Sequence, residues 1–290
     1  MKFPYKTDYN DHFETPSIAY EHILPLLDAL QPDRSQHVIY DPYYCNGQTK
    51  EILLNLGFQK IVHEKRDFYN DINQNTVPNH HCVITNPPYS DDHKEKCMRY
   101  LVPKMRTSRS EESKSFFVLM PNYVAVRNHF RSAIGANEND KNPLDIFYVV
   151  PPIMYEYNHP EGTGKDFPPF ASIWFCGVHL NKIDHVKREF QKHFGSHSVG
   201  PSGSRDVPHL VSTVEELRTL GAVPLEKRKN LKQRLKLKRK LNVGIEDTKV
   251  KEKPKSDKQQ NLNETIAPLS KRKKKSRYRD DDGVRKKKRF

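Results

Sequence analysis

The chain has 290 residues and a formal net charge of +14, which allows one sizeable domain with extensions. Residues 226–290 hold 26 Lys and Arg against 9 Asp and Glu, a net +17, whereas positions 1–225 carry a net −3. The four cysteines lack paired spacing and no apolar run is long, so we expect a reducing compartment and neither a disulfide scaffold, a zinc site, a signal peptide nor a membrane span.

Short apolar segments alternate with helix-like segments from Ser17 to Val178. This alternation predicts an α/β fold with a mostly parallel sheet, and the last two strands, joined by a Pro/Gly/aromatic loop, are predicted to form an antiparallel hairpin at its edge. The predicted strands are 37–40, 60–63, 82–85, 116–120, 146–150 and 171–178, and the predicted helices are 17–30 with a break at Pro25, 48–56, 93–105 and 122–134.

The composition predicts three regions. Residues 1–194 form the folded domain, and residues 195–225 form a Gly/Ser/Pro-rich linker with one short helix. Ser212 and Thr213, followed by two glutamates, are typical of a capped helix start. Residues 226–290 are predicted to form a disordered Lys/Arg-rich tail.

The stretch VITNPPYSDD begins at Val83 and ends a predicted strand abruptly. Neither Pro87 nor Pro88 can donate to a sheet, and the residue before a proline avoids helical space. A stiff loop therefore holds the Asn86 amide and the Tyr89 ring at the carboxyl end of a strand. Ligands of open α/β sheets bind at that end.

A second loop, DPYYCNG, follows the first predicted strand. It places Asp41, Pro42 and Gly47 between a strand and a helix, where backbone N–H groups can face a polar ligand. Glu64 ends the next predicted strand, where dinucleotide-binding folds keep an acid for ribose hydroxyls.

Together with FETPSIAYEHILPLL upstream, DPYYCNG and NPPY resemble the S-adenosylmethionine-dependent amino-methyltransferases, and most closely the N6-adenine methyltransferase group with its Thr-Pro helix first. The resemblance runs from Phe13 to Val178. It implies a class I methyltransferase fold, which is Rossmann-like, and S-adenosylmethionine as cofactor.

The resemblance also implies roles for particular residues. Cys45 stands where the family has glycine, and the interval from Glu64 to Asp67 is too short for the family's usual helix. Thr15 and Pro16 would lie by the cofactor carboxylate, Asp41, Pro42 and Gly47 by its methionine part, Glu64 by its ribose and Asp67 by its adenine, and Asn86, Pro87, Pro88 and Tyr89 would form the catalytic loop.

The chemistry of the loop agrees with such a role. Methyl transfer to an exocyclic amine needs acceptors for the amine's two N–H groups, and the Asn86 side-chain oxygen and the Pro87 carbonyl can supply them without a metal. Tyr89 can stack on a flat base. Other histidines, including His63, His93 and His159, show no metal-ligand spacing and are predicted to be surface or satisfied residues.

Two further regions are candidates for substrate binding. Residues 155–170 form either a base-stacking recognition loop or simple packing at the sheet edge, and Trp174 and Phe175 are predicted core residues. The tail predicts nucleic-acid binding and a nuclear, possibly nucleolar, address, with a solvated tail as the alternative.

Three functions are compatible with these patterns. The first is adenine N6 methylation of RNA, ribosomal RNA first, or of DNA, with the nucleic acid as partner and no membrane. The second is methylation of protein glutamine or lysine. The third is a catalytically degenerate nucleic-acid-binding or ribosome-assembly factor, and a protein partner is possible but not indicated.

Overall fold

The computed structural model describes Asp11 and residues 13–109, 111–136, 142–157, 171–195 and 207–223. Seven strands form one sheet in the order β2-β1-β3-β4-β6-β5-β7. The strands are β1 (Val38–Tyr40), β2 (Lys60–Val62), β3 (Cys82–Thr85), β4 (Ser115–Pro121), β5 (Ile146–Val150), β6 (Ser172–Gly177) and β7 (His209–Val211).

Helices cover both faces of this sheet. One face carries α1 (Ser17–Glu21), α2 (Leu24–Leu30), α3 (Gln48–Asn55) and α7 (Leu180–Gly195), whose apolar residues pack together in one core cluster. The other face carries α4 (Phe68–Gln74), α5 (His93–Met105), α6 (Asn128–Ala133) and α8 (Val214–Thr219), which contribute to a second cluster. A 3₁₀ helix (Asn122–Val126) precedes α6.

The direction of the strands confirms the predicted fold class. β2, β1, β3 and β4 pair in parallel, and β6 is antiparallel to both β4 and β5, so β5 points the same way as β4. The late antiparallel pair is present as predicted, but β7 pairs outside β5 and is the true edge strand. The result is a mostly parallel, Rossmann-like α/β sheet.

Several predicted elements are observed within one or two residues. Pro25 lies in the first turn of α2 and separates it from α1, because a proline is tolerated there and not in a helix interior. Trp174 and Phe175 are fully buried, as predicted, and the Trp174 indole donates to the Ala19 carbonyl at 2.9 Å.

Three elements were not predicted: α4, α7 and β7. α4 is polar and rich in asparagine, which favours caps and turns over helix interiors. In α7 the helical period was present, since Ile183, Val186 and Phe190 are its buried residues. β7 is only three residues long, which is too short to give a periodic signal.

The predicted linker over 195–225 is wrong for residues 207–223. β7 is hydrogen-bonded to β5, and Val214, Leu217 and Val223 join the core, so this stretch belongs to the folded unit. The predicted cap is confirmed, because the Thr213 hydroxyl accepts from the Glu216 N–H at 3.1 Å. The predicted tail, 226–290, lies outside the described residues.

Among the helices that the structure describes, none has the length and apolar character required to cross a bilayer.

Candidate active site

The carboxyl ends of β1 and β3 meet around a buried carboxylate. Asp41 directly follows β1 and is 2% exposed. Its Oδ1 accepts from the Thr85 hydroxyl at 2.5 Å and from the Tyr43 N–H at 3.2 Å. Thr85 is the last residue of β3, so these bonds join the DPYYCNG loop to the strand that carries Asn86.

His63, the residue after β2, completes this buried group. Its Nδ1 lies 3.4 Å from Asp41 Oδ2, its side chain is 1% exposed, and its ring stacks on Tyr44 with centroids 4.9 Å apart. The other ring nitrogen, Nε2, is buried and has no hydrogen-bond partner among the described residues. The prediction of a surface or satisfied residue, made for most of the histidines, does not hold for His63.

Burial raises the pKa of Asp41, and this effect is opposed by the nearby His63 and by hydrogen bonds from Thr85 and Tyr43. A carboxylate that is poorly solvated but surrounded by donors is a fixed electrostatic feature of the site. Such a carboxylate has already lost most of its water, so it pairs with a cation or a further hydrogen-bond donor at a lower desolvation cost than an exposed carboxylate does.

The loop between Asp41 and α3 has two left-handed residues. Gly47 has φ +95°, and a Cβ atom there would lie 2.8 Å from the Tyr44 hydroxyl oxygen, so glycine is required. Cys45 has φ +45° although it carries a side chain. The family's glycine at this position would adopt that backbone without strain. Pro42 is buried beside them.

The Asn86 amide is oriented by one contact and leaves its oxygen available. Nδ2 donates to the Phe13 carbonyl at 3.4 Å, while Oδ1 is buried and has no partner among the residues that the structure describes. Pro87 and Pro88 are buried directly after it. The loop thus presents an acceptor at the carboxyl end of β3, one strand away from Asp41.

Tyr89 faces inward at its hydroxyl end. The hydroxyl donates to the Leu119 carbonyl at 3.3 Å, and burial raises the pKa of Tyr89, with Tyr157 close to it. This contact fixes the position of the ring. Stacking of the Tyr89 ring on a substrate stays a prediction.

The Thr-Pro segment lies against the same edge. Thr15 is buried, and Pro16, in extended conformation, is the N-cap of α1. Tyr20, one turn later, hydrogen-bonds Thr49 of α3 at 3.0 Å. The segment is therefore packed against the helix that follows the DPYYCNG loop.

Glu14 is a site residue that the sequence reasoning missed. Its carboxylate accepts from the N–H of Gln48, the first residue of α3, while burial raises its pKa. Its Oε1 is buried and has no partner in the part of the chain that the structure describes. The signal was available, since Glu14 directly precedes Thr15-Pro16 in the quoted motif.

Glu64 and Asp67 lie in the connection after β2. Residues 63–81 contain no strand, so Asp67 does not follow a strand of its own, and its contact with the cofactor's adenine stays a prediction. Asp67 is instead the N-cap of α4 and accepts from the N–H groups of Tyr69 and Asn70. The Glu64 side chain is 62% exposed and lies 3.6 Å from Arg66.

The aromatic loop is only partly described. Tyr155 and Tyr157 are buried, the first bonded to His22 Nδ1 at 2.9 Å and the second packed edge-on against Phe13. These two residues pack, and the remaining residues of the predicted recognition loop, 158–170, lie outside the described part, as does His159. His93 is buried and contacts the Tyr69 hydroxyl.

Within the described residues, no group of three or more His, Cys, Asp or Glu side chains is arranged to hold a metal ion.

Comparison with known proteins yields only distant structural likeness. No protein-family model and no curated protein matches the chain. It is similar to a Listeria monocytogenes protein assigned to the class I S-adenosylmethionine-dependent methyltransferases, at 14% identity and TM-score 0.36, over 60% of this chain and 63% of that one. It is also similar to the type IIG restriction endonuclease BpuSI, at 14% identity and TM-score 0.36, over 77% of this chain and 32% of that one.

The chain spans less than two thirds of the length of either protein. Both TM-scores are below 0.5, so neither likeness shows the activity of this chain. Any proposal of an activity therefore rests on the geometry of the site.

Proposed function

We propose that this chain is an S-adenosylmethionine-dependent N-methyltransferase acting on an exocyclic amine, with adenine N6 of RNA, ribosomal RNA first, or of DNA as its target. One observation carries this proposal. Asn86 Oδ1 is a buried acceptor without a partner in the described part of the chain, held directly after β3 beside the Asp41 group.

The residues of the donor side fit the cofactor in kind. Asp41 is a buried carboxylate and Glu14 a half-buried one, both suited to an ammonium group, and the buried Glu14 Oε1 lacks a partner among the described residues. Gly47 allows close approach of the loop backbone, and Glu64 is an acid suited to ribose hydroxyls. When bound, the cofactor supplies an electrophilic methyl group on a sulfonium.

The chain's own residues would position the amine. Its two N–H groups donate to Asn86 Oδ1 and to the Pro87 carbonyl, which draws the nitrogen towards tetrahedral geometry and directs its lone pair at the methyl carbon. The extra proton leaves to water after transfer. A neutral amide suits this role because a carboxylate would have to be desolvated.

A nucleic acid as substrate is supported by charge. The net charge of +17 over residues 226–290 suits a polyanion, and the near-neutral domain suits a pocket that reads one group on it. The runs KRKKK and RKKKR also support a nuclear, possibly nucleolar, location.

Deletion of residues 226–290 tests the partner. Removing this net positive charge should weaken RNA or DNA affinity most at low salt and flatten the dependence of log affinity on log salt. Nucleic-acid titrations of both proteins between about 50 and 200 mM salt measure this. An unchanged slope would contradict tail-mediated binding.

Transfer from labelled S-adenosylmethionine to purified RNA, DNA or protein tests the activity. We expect label in nucleic acid, at adenine N6 after digestion. Label confined to protein bands would support the glutamine or lysine alternative instead. No transfer to nucleic acid by a chain that binds the cofactor would refute the substrate class.

One second candidate has observations of its own. Cys45 is strained at φ +45°, and Glu14 already occupies an N–H at the start of α3. Both features favour a degenerate domain that binds nucleic acid without using the cofactor. Calorimetry separates the two functions, since a degenerate domain should show no heat of binding with S-adenosylmethionine at millimolar concentration.

A further inference from the structure

Asp11 makes an unusual number of contacts with the NPPY loop. Its Oδ1 accepts from the N–H groups of Tyr89 at 2.7 Å and Ser90 at 2.9 Å, and its Oδ2 accepts from the Ser90 hydroxyl. Because Pro87 and Pro88 have no N–H, these are the first backbone donors after Asn86. A single carboxylate from the N-terminal segment, distant in sequence, takes both of them.

The other end of the same loop segment is also held. Lys94 donates from Nζ to the Tyr89 carbonyl, and the negative charge of Asp11 favours the protonated form of Lys94. The Tyr89 residue is thus fixed through its N–H by an anion and through its carbonyl by a cation. Charge-assisted bonds of this kind are about twice as strong as neutral ones.

The next described residues of the N-terminal segment reach the amide and the donor side. The Phe13 carbonyl accepts from Asn86 Nδ2, and this contact directs Oδ1 away from Phe13 as a free acceptor. Glu14 accepts from the Gln48 N–H at the start of α3. Asp11, Phe13 and Glu14 therefore touch, in order, the NPPY loop (the predicted catalytic loop), its Asn86 amide and the first residue of α3, directly after the DPYYCNG loop (the predicted cofactor loop).

We propose that these three residues form a clasp that couples the cofactor loop to the catalytic loop, with Asp11 as a positioning residue for Asn86. The clasp would act by holding the acceptor in one orientation before substrate arrives, and it touches no reacting atom. This inference rests on the proposed function for its catalytic consequence, but the contacts of the clasp are testable without it.

Hydrogen exchange in the full-length protein tests the clasp directly. In the wild type the amides of Tyr89 and Ser90 are protected by Asp11, and Asp11→Ala should speed their exchange by about tenfold or more. Asp184→Ala, which removes an exposed acid from α7, is the control and should leave both amides unchanged. Unchanged exchange in Asp11→Ala would overturn the clasp, whether or not the protein has activity.

Single-turnover methyl transfer tests the consequence. Asp11→Ala should lower the rate by about tenfold to a hundredfold, with the Kd for S-adenosylmethionine within about twofold of wild type, because misplacement of a catalytic group affects the reacting step. Asp11→Asn keeps an acceptor oxygen and should restore part of the rate. If Asp11→Ala lowered the transfer rate, the cofactor affinity and the melting temperature together, Asp11 would have a merely structural role.

Two further outcomes are separable. If Asp11→Ala does not fold, Ser90→Ala can replace it, because it removes one of the three hydrogen bonds to Asp11. It should speed the exchange of the Tyr89 and Ser90 amides by a smaller factor, and unchanged exchange would count against the clasp. A wild type that transfers methyl to no substrate refutes the proposed function, and the exchange result still decides the clasp.

Discussion

On the catalytic side of the sheet edge, residues 86–90 follow a fully buried strand and are held by Asp11, Phe13 and Lys94. On the donor side, residues 41–47 and 63–67, one residue is strained at φ +45° and the Glu64 side chain is 62% exposed. The sheet also ends at β2, with only α4 between β2 and β3. The side that would hold the amine is therefore built more completely than the side that would hold the donor.

This difference suggests how the two sides divide the task. A preorganised acceptor supports the rate of transfer, whereas a shortened donor side predicts modest cofactor affinity. Changes on the catalytic side should then affect the rate, and changes on the donor side should affect the Kd.

Acid should affect both sides together and by the largest amount. Burial lowers the pKa of His37, before β1, and of His80, before β3, to about 4. Unfolded histidines take up protons below about 6.5, so stability falls as the pH drops from about 6.5 to about 4, by about 3 kcal/mol for each. Denaturant unfolding at pH 7 and pH 4.5 measures this loss.

Burial lowers the pKa of His22 to about 4 as well, so His80→Gln provides the control: it removes one of three such titrations and should flatten the pH dependence. Two separate acid transitions, in place of one, would show that the two sides unfold independently. That result would contradict the expectation that acid destabilises the two sides together.

Glu64→Gln should act on the donor side alone. If Glu64 holds the ribose, the loss of a charged acceptor weakens the Kd for S-adenosylmethionine by about tenfold. The free energy of unfolding should change by less than about 1 kcal/mol, because the pair with Arg66 is exposed. Glu112→Gln, which breaks a comparable exposed pair with Arg109 at 3.1 Å, is the matched control. An unchanged Kd would remove Glu64 from the donor site.

Cys45→Gly should have the smallest effect and the opposite sign. Relief of the left-handed backbone is worth about 1–2 kcal/mol and is partly offset by the added freedom of glycine in the unfolded chain. We expect a gain of less than about 1 kcal/mol in stability and a tighter Kd for the cofactor. Thermal unfolding and calorimetry measure the two effects. A loss of stability would mean that the thiol makes contacts worth more than the strain.

Sequence reasoning was most reliable where local chemistry decides the backbone. Cys82–Thr85 was predicted to the residue because β-branched and apolar residues run into two prolines, and Pro25 breaks its helix where expected. The antiparallel pair was predicted from its irregular connection. Such signals lie close in sequence to the feature that they determine.

The rest depended on contacts between distant parts of the chain. Nothing near His63 shows that its ring is buried against Asp41, on the neighbouring strand, and nothing near Asp11 shows that it binds Tyr89 and Ser90. The short interval after Glu64 was visible in the sequence, but the structural role of Asp67 as a helix cap required the helix itself.

Asn86→Ala, with transfer and cofactor binding measured on the same preparation, tests the central claim most directly. Removal of one acceptor aimed at developing charge should lower the rate of methyl transfer by about 10²–10³-fold. The Kd for S-adenosylmethionine should stay within about twofold, because the cofactor contacts lie on the donor side. A variant that transfers as fast as the wild type would contradict the role of the Asn86 oxygen.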